Sequence, residues 1–155
     1  MSAGMAIHLG DRARTGDESR AHLGFGTATE VHLGPKSELL IDGFIAESGG
    51  VIHLDGALVF DRPEGVADPE AVVETQFGRI GVRGTKFIII PEEGGLGVFV
   101  ERGLVEVTGY DLAASTVALR AGFGTFIPAI GAPPERARQW GESRVSAAFA
   151  FVLGR

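Results

Sequence analysis

The sequence predicts an all-β fold of stacked short strands, solenoid-like or a two-sheet sandwich, with one C-terminal α-helix. Two observations predict the strands: 24 glycines punctuate the 155 residues, and several segments between them alternate polar and apolar residues, as strands with one dry face do. A third observation predicts the helix, because apolar residues recur at helical spacing near the end of the chain. At this length one hydrophobic core is expected, since folding buries roughly 70% of the unfolded chain's surface.

The strands follow from the alternating segments and the turns between them. Alternation is clearest in Thr27–Leu33, Glu38–Ile41, Val51–Leu54 and Leu104–Val107. The polar stretch Asp61–Glu70 carries two prolines and predicts a crossing loop. The run Phe87–Ile90 has no polar member, so it predicts a strand buried on both faces that Pro91 ends. After it, Glu92–Gly95 predicts a hairpin loop, because paired glycines permit the positive φ angles of a tight reversal.

One short motif recurs along the first third of the chain. His8, His32 and His53 each lie between an aliphatic residue and a leucine, and the motif repeats after 24 and then 21 residues. Spacing in this range is typical of a solenoid in which successive strands stack. The spacing drifts and the motif is short, so a two-sheet arrangement stays open.

The last segment predicts the helix. Pro133 and Pro134 precede an acidic and alanine-containing stretch, as at a helix start. From Ser143 onward an apolar stripe is formed by Val145, Ala148, Phe149 and Val152. Gly141 leaves the start of the helix open, and Gly154 predicts its end.

Composition excludes several classes of function. A net charge of −6 disfavours nucleic-acid and anionic-membrane surfaces, which need clustered Lys and Arg. The absence of cysteine excludes disulfides, thiolate metal sites and cysteine nucleophiles. No apolar run approaches the ~20 residues of a membrane-spanning helix. The first ten residues lack the pattern of a secretory signal, which leaves a cytoplasmic chain and an exported, processed chain both open.

The histidines have two interpretations. If the strands stack in register, His8, His32 and His53 align on one face and form a metal site, because imidazole is the commonest ligand of zinc-like metals. Alternatively, each histidine takes the solvent-facing position of an alternating strand. We favour the second interpretation, since no HxH or HExxH pattern accompanies the histidines.

The sequence predicts no catalytic residues and no cofactor. Its serines lie outside any GxSxG elbow, and no histidine follows His53 to complete an ordered triad. The glycine-rich segment Phe77–Thr85 lacks the Gly-Lys-Ser/Thr of a phosphate loop and precedes a strand rather than a helix. We therefore expect a protein that is not an enzyme.

The segment GVRGTKF at Gly81–Phe87 resembles the signature of the FecR domain, the periplasmic part of ferric-citrate-regulator-type signalling proteins. Ordered motifs from about Leu9 to Pro128 carry the same resemblance: Leu9–Gly16, Ser19–Phe25, Leu33–Phe44, Val98–Gly109 and Val117–Pro128. Thr75-Gln76-Phe77 departs from the usual Thr-Pro. The N-terminal cytoplasmic helical segment and membrane helix of the family's sigma-factor regulators have no counterpart in this sequence. The resemblance therefore implies the extracytoplasmic module without anti-sigma activity.

The resemblance also implies a fold, a location and a mode of action. It implies an all-β module of the periplasm or cell envelope that binds a protein rather than catalysing a reaction. The implied partner is an envelope protein, such as the signalling domain of an outer-membrane receptor, or a second copy of the chain. The signature positions, for which a structural role is implied, are Arg14, Thr15, Gly16, Gly81, Arg83, Gly84 and Thr85.

We expect a single domain in which residues 1–132 form the β part and residues 133–155 form a helix packed on it. The alternative function is a module that binds an envelope glycan or a metal through the face carrying His8, His32 and His53.

Overall fold

Twelve strands in one curled, half-barrel sheet and a single C-terminal helix make up the described part of the chain. The structure is a computed structural model that describes residues 12–25, 29–45, 49–63 and 71–154. The strands are β1 (Arg12–Arg14), β2 (Ala21–Phe25), β3 (Thr29–Leu33), β4 (Glu38–Ile45), β5 (Gly49–Asp55), β6 (Leu58–Asp61), β7 (Ala71–Glu74), β8 (Gly78–Glu92), β9 (Gly95–Gly109), β10 (Thr116–Arg120), β11 (Phe123–Ile127) and β12 (Arg138–Gln139); the helix is α1 (Glu142–Leu153). The predicted fold class, all-β with one C-terminal helix, is confirmed.

The two longest strands, β8 and β9, form an antiparallel hairpin that runs through the whole sheet. Its turn is the predicted one, but the positive φ angles belong to Glu93 (46°) and Gly94 (80°). Gly95 is required for a different reason: a Cβ there would collide with the carbonyl oxygen of Ile127. One glycine of the pair therefore serves the turn and the other serves close packing.

The sheet divides into two arms that share this hairpin. One edge of β8 pairs first with β7 and then with β6, and a register shift between Arg83 and Lys86 separates the two pairings. The edge of β9 that faces away from β8 likewise pairs with β10 and with β11. We define two arms, each with the part of the β8–β9 hairpin that its strands adjoin. The first arm contains β1, β4, β5, β7 and β10. The second arm contains β2, β3, β6, β11 and β12.

The arms close on each other at the ends of β8. A Cβ at Gly78, at the start of β8, would lie 3.1 Å from Cδ1 of Ile127, and Gly95 beyond the tip of the hairpin also lies against Ile127. The main core lies between the arms and draws on both, for example Ile52 and Val73 from the first arm and Val31 and Leu58 from the second.

The solenoid version of the prediction is not supported. A solenoid needs parallel neighbours, whereas among the described strands only β5 and β7 pair in parallel. The recurring motif falls on β3 and β5, which belong to different arms and do not pair. Antiparallel pairing through short turns explains the many glycines equally well.

The run Phe87–Ile90 is buried on both faces, as predicted, with 0 to 8% of each side chain exposed. Phe87 and Ile89 belong to the main core, while Ile88 and Ile90 belong to a second cluster with α1 and Trp140. Pro91 does not end the strand, since it stays opposite Leu96 in the β8–β9 ladder.

Helix α1 begins later than predicted. Gly141 is its N-cap, and Gly154 ends it in the left-handed conformation with its N–H donating to the carbonyl of Ala150. The stretch from Pro133 stays irregular, because the backbone N–H of Glu135 donates to the carbonyl of Phe126 and holds the chain against β11. The predicted stripe packs on the outer face of the sheet, with Ala148 and Val152 buried.

Within the described residues, no helix is long and apolar enough to cross a bilayer. Of the predicted crossing loop, residues 64–70 lie outside the described part of the chain.

Candidate functional site

The first group of signature residues ties together three turns at one end of the molecule. The buried Thr15 donates from Oγ1 to the carbonyl of Gly34 (2.6 Å) and accepts from the N–H of Ser37 (2.9 Å). Ser37 Oγ in turn accepts from the N–H of Ala57 (2.9 Å). The carbonyl of Gly16 accepts from the N–H of Lys36. Both hydroxyls donate to one backbone carbonyl and accept from one backbone N–H, so they connect the turns.

Arg14 lies outside this network, on the surface. Its Nη2 is 2.7 Å from a carboxylate oxygen of Glu38, and Arg12 Nε is 3.1 Å from the other oxygen. Glu38 belongs to β4, which pairs with β1, so these ion pairs reinforce the edge of the first arm.

The second group of signature residues lies where the arms diverge. Gly81 pairs with Val72 and with Glu106, just before the register shift in β8. Thr85 lies in the irregular stretch and is fully buried, with its carbonyl accepting from the N–H of Arg62 (2.8 Å). Arg83 and Gly84 also belong to β8, and the Arg83 side chain lies outside the described part of the structure. The signature therefore coincides with the bend that lets one strand serve both arms.

The structure describes two of the three histidines of the alternative metal-site interpretation. His32 lies on β3 in the second arm and His53 on β5 in the first, and His8 lies outside the described residues. His53 instead faces Glu74 (Nδ1–Oε2 3.5 Å), which also pairs with Arg79. The alternative interpretation assumed parallel stacking of the repeated motif, whereas the sheet places His32 and His53 on strands that do not pair.

An open groove lies where the two arms meet, and sequence reasoning missed it. Two adjoining hollows of about 330 Å³ each share Leu54, Asp55, Thr75 and Gln76. One extends over Phe77 and the hairpin tip at Pro91–Leu96. The other extends over Glu38, Leu40, His53, Glu74 and Tyr110. We call the two hollows together the acidic groove. No sequence signal could have found it, because its walls come from turns that only the tertiary fold brings together.

The groove has an apolar floor and a negative rim. Leu54 and Leu96 are buried beneath it and Phe77 is half-buried. Five carboxylates line it: Glu38, Asp55, Glu74, Glu92 and Glu93. Three of them are engaged by arginines or a histidine, whereas Asp55 and Glu93 make no ion pair within the described part of the chain. The two unpaired carboxylates give the groove its available charge.

Tyr110 closes the end of the groove at the first arm. Partial burial raises the pKa of Tyr110 above its ordinary value, and the negative charge of Glu74 adds to the shift. The phenol therefore stays neutral at physiological pH and can donate a hydrogen bond to an occupant. The groove offers apolar contact, negative charge and a hydroxyl donor, which suits binding.

The chain resembles known proteins in sequence and in fold. The model of the FecR family, described as FecR protein, matches residues 11–106. No curated protein matches the sequence.

Two crystal structures of a candidate anti-sigma factor from Parabacteroides distasonis ATCC 8503, at 1.65 and 2.50 Å resolution, match with a TM-score of 0.71 and 18% identity. Each match covers 88% of this chain and 63% of that one, so this chain corresponds to part of the other protein. At this identity the likeness establishes a shared fold.

Proposed function

The chain belongs to the FecR family, and from this membership we propose that it is a non-catalytic, partner-binding module of a bacterial cell-envelope signalling system. A regulatory role in signalling is what the family and the fold support. The proposal adds a location, the periplasm, and a mode of action, the binding of another protein. The envelope association of the family supports that location.

The acidic groove is the observation that carries the binding proposal. It lies between turns of the first arm and the tip of the β8–β9 hairpin, so an occupant would contact both. Its floor presents apolar surface, and its rim presents the unpaired carboxylates of Asp55 and Glu93. A segment with apolar side chains flanked by Lys or Arg is complementary to it, because opposite charges steer association and apolar contact supplies affinity. The signalling domain of an outer-membrane receptor is the partner class that we propose.

Site-specific photo-crosslinking in a bacterium that carries the gene tests this proposal. A photoreactive phenylalanine analogue replaces Gln76 inside the groove, and in a second strain it replaces Gln139, an exposed glutamine outside the groove. We expect a defined adduct with one envelope protein from position 76 and none from position 139. Equal adducts from both positions, or none from position 76, would contradict binding in the groove.

Charge reversal adds a matched control. Asp55→Lys with Glu93→Lys reverses the free charge of the groove, and Glu106→Lys with Glu135→Lys changes net charge equally at exposed positions outside it. We expect the first pair to abolish the adduct and the second pair to retain it. Cell fractionation of the same strains tests the location, and recovery of the chain in the cytoplasm alone would overturn it.

A further inference from the structure

Three potential metal ligands meet on the outer face of the second arm. His22 on β2 lies directly opposite His32 on β3, and Glu30 is two residues before His32 on the same face. The donor atoms of the three side chains all lie within 4.8 Å of one another. Among the described residues this is the one group of three or more His, Asp or Glu side chains with that spacing.

The sheet positions these groups for chelation. The imidazole rings of His22 and His32 stack with centroids 4.2 Å apart and an interplanar angle of 11°. His22 Nε2 is 3.4 Å from Glu30 Oε1. Two ligands of one tetrahedral zinc ion are separated by about 3.3 Å, given bond lengths near 2.0–2.1 Å. The His22–Glu30 pair therefore has the spacing of two zinc ligands, and the donor atom of His32 lies within 4.8 Å of both.

The site also has room and access. Gly24 lies opposite Glu30, and a Cβ at Gly24 would meet nothing within 4 Å. The side chains of His22 and Glu30 are 43% and 51% exposed. An ion can thus enter from solvent, and water can occupy a fourth coordination position.

We propose that His22, Glu30 and His32 form a binding site for a divalent transition metal of the zinc and copper class. Two imidazoles and one carboxylate suit these metals, whereas calcium and magnesium prefer sites built from oxygen ligands alone. A bound ion would cross-link β2, which pairs only with β3 among the described strands, to the rest of the second arm. The site is separate from the acidic groove, since none of its residues lines that groove.

Calorimetric titration of the metal-free protein with Zn²⁺ tests the proposal. We expect one ion per chain, and an affinity lower by about tenfold or more in His22→Gln and in His32→Gln. Glu30→Gln should weaken binding as well. His53→Gln is the matched control, because His53 also lies on a strand beside a glutamate but belongs to no such group of three.

Three further experiments keep the result decisive. Circular dichroism of each metal-free variant verifies that the sheet has formed, and the melting temperature of the wild-type chain should rise with Zn²⁺, since a ligand that binds only the folded state stabilises it. A His8→Gln variant tests for a contribution from the first copy of the motif. Equal losses in His53→Gln or His8→Gln, or wild-type binding no tighter than that of the double variant His22→Gln with His32→Gln, would overturn the proposal.

Discussion

At the scale of single residues, two buried threonines of the family signature are in opposite situations. Thr15 uses its hydroxyl as both donor and acceptor between two turns. The hydroxyl of Thr85 is buried and has no hydrogen-bond partner within the described structure. Burying a polar group without a partner costs free energy, whereas a paired one is close to neutral or stabilising. The same conservative substitution should therefore have opposite effects at the two positions.

Valine has the shape of threonine without the hydroxyl. We expect Thr15→Val to lower the free energy of unfolding by about 1–3 kcal/mol, because it leaves buried backbone groups of Gly34 and Ser37 unpaired. Thr85→Val should raise it by about 1 kcal/mol, because it removes an unpaired hydroxyl. Urea denaturation of both variants measures the difference. A loss in Thr85→Val as large as that in Thr15→Val would mean that Thr85 has a partner.

Asp111, in the loop after β9, gives a prediction about pH. The hydroxyl of Ser115 donates to its carboxylate at 2.6 Å, and this bond is the main reason that the pKa of Asp111 lies below its ordinary value of 3.8. A lowered folded-state pKa contributes stability above the unfolded-state pKa, and that stability is lost as pH falls through the folded-state pKa. The contribution of Asp111 therefore disappears at acid pH, below the ordinary carboxyl range.

Removing that hydroxyl tests the assignment. In Ser115→Ala the pKa of Asp111 should rise toward 3.8, with the backbone N–H of Ser115 retaining part of the shift. Titration of the carboxyl carbon by NMR measures it, with Ser143→Ala at an exposed position as the control. An unchanged pKa of Asp111 in Ser115→Ala would show that the hydroxyl is not its cause.

At the scale of elements, helix α1 completes the outer face of the sheet. Val152 is 1% exposed and packs with Val59 and Ile88 in the second hydrophobic cluster. The side chain of Arg20 donates to the carbonyl of Phe151 from both Nε and Nη2. At this end of the helix the negative end of the helix dipole also stabilises a positive charge. The helix is thus held by apolar packing along its length and by hydrogen bonds near its end.

Truncating the buried face of the helix should measure that packing. We expect Val152→Ala to lower the free energy of unfolding by about 2 kcal/mol, at roughly 0.8 kcal/mol for each buried carbon removed plus the cavity left behind. Ala147→Ser at an exposed position of the same helix should change it by less than about 0.5 kcal/mol. Thermal or urea unfolding compares the two variants. Equal effects would show that the helix contributes little through its buried face.

Local patterns predicted the elements better than their arrangement. Alternation placed Val31 and Leu33 on the buried face and Glu30 on the exposed face, because the two-residue period of a strand is a property of the backbone. The same local patterns do not predict which strands pair with each other. His22 and His32 are opposed because β2 and β3 pair with one particular register, and the acidic groove depends on turns far apart in sequence.

The misplaced helix start has a related cause. Pro133 and Pro134 satisfy the local rules for a helix start. The chain there instead hydrogen-bonds to β11, and Trp140 then stacks on Phe99 with ring centroids 5.2 Å apart. A Cβ at Gly124 would collide with the indole of Trp140. The absence of a side chain at Gly124 therefore leaves space for the indole of a residue 16 positions later. Tertiary packing of that kind overrides local propensity.

At the scale of the whole molecule, the family match and the folded unit have different extents. The FecR match ends at residue 106, within β9. Beyond residue 106, β10 and β11 pair with the edge of β9 that faces away from β8. Helix α1 covers Ile88 on the outer face. The fold described here is therefore larger than the matched segment, and a fragment that ends at residue 106 would leave one edge of β9 unpaired.

The hairpin shared by the two arms has a consequence for how the molecule comes apart. Neither arm is complete without β8 and β9, and Ile127 packs against both ends of that hairpin. Unfolding one arm would remove hydrogen-bond partners from β8 and β9, on which the other arm also depends. The two arms should therefore not unfold one after the other. We expect calorimetry to record a single heat-absorption peak whose van't Hoff and calorimetric enthalpies agree, and two resolved peaks would contradict this. The strand pairing divides the sheet into two arms, but we expect them to unfold as one cooperative unit.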